Sequence, residues 1–163
     1  MGQTFLVLSA MMLLSLVVLQ ANGLILSKYS ETYDMQATHE AVSLAEDRLD
    51  QATRKSFDEK ALTKKIYNAS EFTSVANLGP DPYESGIPQF DDLDDYDNTT
   101  ETFSTPTVDN FTIVYTVDYV TVADPDAVSA VPTFFKRVKV SITNPSMSHA
   151  VVSSRVVVYR RYQ

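Results

Sequence analysis

Apolar residues fall along this chain in three regimes. From Phe5 to Leu26 the segment FLVLSAMMLLSLVVLQANGLIL contains no charged residue. As a helix rising 1.5 Å per residue, it is long enough to cross a hydrocarbon layer of about 30 Å. From Ser27 to about Leu62 there is neither Pro nor Gly, and Met35, Val42 and Leu49 recur seven residues apart with Ala45 and Ala52 on the same stripe. That spacing is the narrow apolar face of an amphipathic helix. With only Asn22-Gly23 as a local softening, the pattern predicts one helix from about Thr4 to about Leu62, about 85–90 Å long. The last regime has period two. In NFTIVYTVDYVTVAD, Phe111, Ile113, Tyr115, Val117 and Tyr119 alternate with Thr112, Val114, Thr116, Asp118 and Val120. FFKRVKVSIT opposes Phe135, Arg137, Lys139 and Ser141 to Lys136, Val138, Val140 and Ile142, and VVSSRVVVYRRY follows the turn NPSMSHA. Alternation of β-branched and aromatic residues predicts three strands in an antiparallel meander with one face covered. The helix stripe is the natural cover.

These regimes divide the chain into 1–26 (apolar protruding helix), 27–62 (its amphipathic continuation), 63–108 (acidic, loop-rich connector) and 109–163 (sheet head). The fold class is α+β. The opening rod admits three readings: a cleaved signal peptide, a membrane anchor, or a helix buried among copies of itself. A signal peptide has a basic start, an apolar core of about 7–15 residues and a small-x-small cleavage site. Here no Lys or Arg precedes the run, the run is longer, and ANGLILSK offers no such site. An apolar rod that its own head leaves uncovered goes into lipid or into a bundle. Ser9, Ala10, Ser15, Gln20, Ala21, Asn22 and Gly23 would permit close helix–helix contact.

Composition narrows the chemistry. A formal net charge of −8 argues against nucleic acid as a partner, because phosphate binding relies on clustered Lys and Arg. Cysteine is absent, which excludes disulfides, thiolate metal sites and Cys nucleophiles. His39 and His149 stand alone, without a second ligand at metal spacing. No Gly-rich phosphate loop, GxSxG elbow or His-centred triad occurs, so neither an enzyme nor a cofactor is expected. Within the connector, FDDLDDYDN places Asp91, Asp92, Asp94, Asp95 and Asp97 together. The string lacks the Gly and terminal Glu of an EF-hand loop. A solvated acidic turn is the first expectation and a Ca²⁺ site the second. Asn68, Asn98 and Asn110 each begin an N-x-[ST] triplet that would accept a glycan in an exported protein.

GQTFLVLSAMMLL resembles the amino terminus of type IV pilins and pseudopilins. On that pattern Gly2 takes the place of the residue before prepilin-peptidase cleavage and Thr4 the second mature position. Val7 stands where most pilins carry a Glu, and the leader reduces to Met1-Gly2. ATHEAVSLAEDRLDQA is similar to the segment of minor pilins where the helix meets the head. FDDLDDY resembles a stretch in minor pilins of the mannose-sensitive haemagglutinin type, and KRVKVSI…VVSSRVVVYR their last hairpin. The resemblance implies a ladle-shaped subunit of an extracellular, adhesive homopolymer, held in the inner membrane before the pilus assembly machinery extrudes it. Its helical core would be packed from Phe5, Leu6, Leu8, Met11, Met12, Leu13, Leu16 and Leu19. The alternatives are a membrane-anchored pseudopilin of a secretion system and a single-pass anchored binding module.

Overall fold

A computed structural model describes residues 2–160. The helix Gly2–Thr53 (α1) is continuous for 52 residues, about 78 Å at the standard rise, and runs through Gly23 without a break. A short helix, Glu59–Thr63 (α2), and three 3₁₀ turns at Ala69–Glu71, Val75–Asn77 and Asp94–Tyr96 lead into the sheet. Its strands are Thr100–Phe103 (β1), Phe111–Tyr119 (β2), Phe135–Thr143 (β3) and Val151–Val158 (β4), antiparallel in the order β1-β2-β3-β4. The molecule is thus α+β, a long amino-terminal helix packed on a four-stranded antiparallel meander.

The alternation read from the sequence sets which face of the sheet is inward. Phe111, Ile113, Tyr115, Val117 and Tyr119 of β2 are buried, as are Lys136, Val138, Val140 and Ile142 of β3. The register pairs Tyr115 with Val140 and Ile113 with Ile142, so the large side chains form one continuous layer. Onto it α1 sets Ala37, Ala41, Leu44, Ala45, Leu49 and Ala52, all buried. The spacing is helical, but four of the six are alanine, and small side chains let the helix axis lie close to the pleat. Met35 and Val42, expected on this stripe, are exposed at 70% and 49%. The heptad count drifted off the buried face, because a straight helix repeats every 3.6 residues and not every 3.5.

Three further expectations are corrected. The long helix stops at Thr53 rather than Leu62. Phe57 leaves the helical path to join Ile66, Phe72 and Tyr119 in a second apolar cluster, its ring 4.9 Å from that of Phe72. Asp58 then caps α2 by accepting from the Lys60 N–H at 3.0 Å. The connector is not a plain loop. It supplies β1, and it supplies the buried Ile66, Phe72, Phe90, Leu93, Tyr96 and Val108. Finally, the acidic string is not solvated: Asp92, Asp94 and Asp95 are buried at 2%, 3% and 4% exposure.

Polar pairs fix α1 on both flanks of the sheet. On the β1 side, Arg48 Nε donates to Glu101 at 2.7 Å while its guanidinium lies 4.7 Å from the Phe103 ring centroid. Thr105 and Thr107 donate to Glu40, both at 2.5 Å. On the other side, Arg155 of β4 pairs with Asp50 and Glu46, and Ser148 donates twice to Asp34. Asp34 is the first described residue of α1 to bond to the head in this way, and every described residue before it is exposed.

Candidate functional site

Every residue from Gly2 to Tyr33 is exposed, a rod of about 48 Å at 1.5 Å per residue. Phe5, Leu6, Leu8, Met11, Met12, Leu13, Leu16 and Leu19 all lie on it, each between 56% and 74% exposed. Apolar side chains occur all round the helix, so no single stripe is marked as the contact face. Length and hydropathy, with a mean of 2.2 over its best 18-residue window, qualify the helix to cross a membrane. Two of its hydroxyls are turned back on the helix itself: Ser9 donates to Leu6 O at 3.0 Å and Ser15 to Met11 O at 2.8 Å. These bonds remove two polar groups that would otherwise be costly in an apolar setting. Val7 adds no charge to the rod. Gly2 is its first described residue, with open space around its Cα.

The acidic string forms the second unusual locality. Asp92 Oδ1 accepts from the Asp94 N–H at 2.8 Å, and Asp95 Oδ2 accepts from the N–H groups of Asp92 at 3.0 Å and Asp91 at 3.1 Å. The segment folds back on its own carboxylates and brings Leu93 and Tyr96 into the core. Burial, reinforced by the neighbouring carboxyl groups of Asp94 and Asp95, pushes the Asp92 carboxyl up to about 9, so it is protonated at neutral pH. Asp95 rises to about 7, chiefly from burial and then from Glu84 beside it. Glu59 is also raised, by burial and by Asp91. Carboxylates of Glu84, Asp91 and Asp95, and of Glu59, Asp91 and Asp92, lie within 4.8 Å of one another. Either group could accept a divalent cation, which would relieve the repulsion that raises these groups. Asp91, the shared member, is exposed, while Asp97 is half-buried and accepts from the Val117 N–H at 2.9 Å. The string therefore splits into members that serve the fold and one that faces water.

Behind it lies a group that no motif announced. Lys136 is fully buried, with Nζ donating to Asp94 Oδ1 at 2.7 Å and to Phe57 O at 2.7 Å, and 3.4 Å from Asp58 Oδ2. The signal was present in the strand pattern, which placed Lys136 on the same face as Val138, Val140 and Ile142. A lysine at an inward position requires buried partners. Which acids would supply them was not readable, because they come from two separate turns.

The remaining sites are surface features. Asn68, Asn98 and Asn110 are exposed, and the last two adopt left-handed backbone, with φ of 55° and 64°. A cleft of about 660 Å³ beyond the end of α1 is lined by Arg54, Lys55, Lys64, Lys65 and Arg160 among others. Lys55 is committed to Phe90 O and Lys64 to Glu71. His39 and His149 join neither carboxylate group.

No family model, curated protein or solved structure matches the chain.

Proposed function

We propose that this protein is a pilin, a structural subunit of an extracellular type IV pilus-like filament. Its apolar half-helix packs with those of identical subunits along the filament axis, and the acidic sheet domains face outward. The single observation behind this is the fully exposed apolar rod rigidly continuous with a helix docked on a folded head. The resemblance of GQTFLVLSAMMLL and the following helix to pilins favours the bundle over other ways of covering it.

The energetics favour burial by any route. Covering about 1,000 Å² of apolar surface gains on the order of 25 kcal/mol before the cost of ordering. The same rod is at home in the inner membrane, so the subunit waits there until the pilus machinery extracts it. A lipid-anchored pseudopilin or anchored binding module is the second reading, favoured by the same length and hydropathy. Catalysis has no part in either.

Leu13→Asp separates these roles from folding. The substitution puts a charge at the middle of the rod, far from any head contact. Cells carrying it should yield no sheared fibres, while the purified variant keeps the wild-type β-sheet signal and melting behaviour. Abundant normal fibres from Leu13→Asp cells would exclude a core role for the rod. Wild-type protein recovered only as a membrane-bound monomer would select the anchor.

A further inference from the structure

We propose that Lys136 and Asp94 form an intramolecular amide bond, made by the folded protein on itself, with Asp58 as the group that moves a proton. The three side chains come together only in the tertiary structure: Lys136 from β3, Asp94 from the folded acidic turn, and Asp58 from the cap of α2.

Three conditions for such a bond are met on one spot. The amine and the carboxyl are in contact, with Nζ 2.7 Å from Asp94 Oδ1, which puts Nζ about 3–4 Å from the carboxyl carbon, close to the separation of a near-attack pair. Water is excluded. Lys136 and Asp58 have no exposed side-chain surface, Asp94 has 4%, and the rings of Phe57 and Tyr119 lie 4.8 Å and 5.1 Å from Nζ. A proton acceptor is in place, since Asp58 Oδ2 is 3.4 Å from Nζ and is held by the Thr73 N–H at 2.8 Å.

In the reaction, Asp58 takes one proton from Nζ, and the freed lone pair attacks Cγ of Asp94. The C–O bond then breaks, and the departing oxygen leaves as water with two of the three Nζ protons, one of them returned by Asp58. One C–N bond forms and one C–O bond breaks. Nothing is oxidised or reduced, and Asp58 ends as it began. The product replaces an ammonium and a carboxylate, which are expensive to keep from water, with a neutral amide. It also closes a loop spanning a sequence separation of 42 residues in a chain that has no cysteine for a disulfide. The bond would tie the turn that packs beneath the end of α1 to the start of β3, an interior strand of the sheet. That link suits a head carried on a helix that bears load along a filament.

Peptide mapping by mass spectrometry of the full-length protein, purified in detergent, tests this directly. The expected result is a branched peptide in which the segments holding Asp94 and Lys136 are joined and lighter by one water, with trypsin failing to cut after Lys136. Asp94→Ala and Lys136→Arg should each lose the branched species. Asp58→Asn should leave at least ten times more unlinked protein after folding. Folded wild-type protein that gives both segments unlinked in full yield overturns the proposal. That measurement needs no variant to fold, and it is independent of whether filaments form.

Discussion

At the scale of single residues, the buried acids make the protein sensitive to alkali rather than acid. Asp92 has a folded value of about 9 against an ordinary 3.8, so the native state holds a proton that the unfolded chain releases across that interval. Its contribution is complete below about pH 4 and is lost as pH rises toward 9, at up to about 1.4 kcal/mol per pH unit per proton. Asp95, at about 7, acts in the same direction over a shorter interval. Glu40, lowered by hydrogen bonds from Thr105 and Thr107, acts oppositely, and its contribution disappears as pH falls below the ordinary glutamate range. Stability should therefore peak in mildly acidic solution. The thermal midpoint is expected to drop between about pH 5 and about pH 8 in wild type, and Asp92→Asn should flatten that slope. An unchanged slope in the variant would mean that Asp92 is not the group responsible.

At the scale of elements, the joint between α1 and the sheet depends on small side chains. Ala37, Ala41, Ala45 and Ala52 are each at most 1% exposed. Enlarging one of them has no free volume to occupy and forces helix and strands apart. Ala41→Leu is expected to destabilise the head by about 1–3 kcal/mol in urea unfolding. Val42→Ala, one residue along and half exposed, should cost well under half of that. Equal effects at the two positions would be incompatible with the alanine-lined contact. The same joint explains why the helix ends where it does. Helix propensity alone would have carried it to Leu62, but Phe57 and Asp58 gain an aromatic cluster and a buried lysine by leaving the helical path.

At the scale of the molecule, rod and head are energetically separate. Among the described residues every position of the rod before Asp34 is exposed, whereas the head has two apolar clusters and polar pairs on both flanks of α1. A chain starting at Ser27 should remain folded, with the full sheet signal, and run as a monomer in size exclusion without detergent. The intact chain should need detergent, lipid or its own copies. A truncated chain that aggregates or unfolds would show that the rod supports the head after all.

The split between what sequence and structure decide follows interaction range. Local periodicity by itself determined the long helix, the alternation of β2 and β3, the presence of β4, and the place of Lys136 on one face with Val138, Val140 and Ile142, because those patterns are written within a few residues. It also determined that Phe5 to Leu26 would form an apolar rod, since no charge interrupts the run. Only the tertiary structure decided that Met35 and Val42 face water, that Thr53 is the end of the helix, and that β1 joins the sheet. It alone turned FDDLDDY from an apparent surface turn into the partner of a buried lysine. Each of those outcomes pairs groups far apart in the chain, such as Lys136 with Asp94 and Asp58. The energy of burying a charge depends on which neighbours arrive, and a linear pattern does not carry that information.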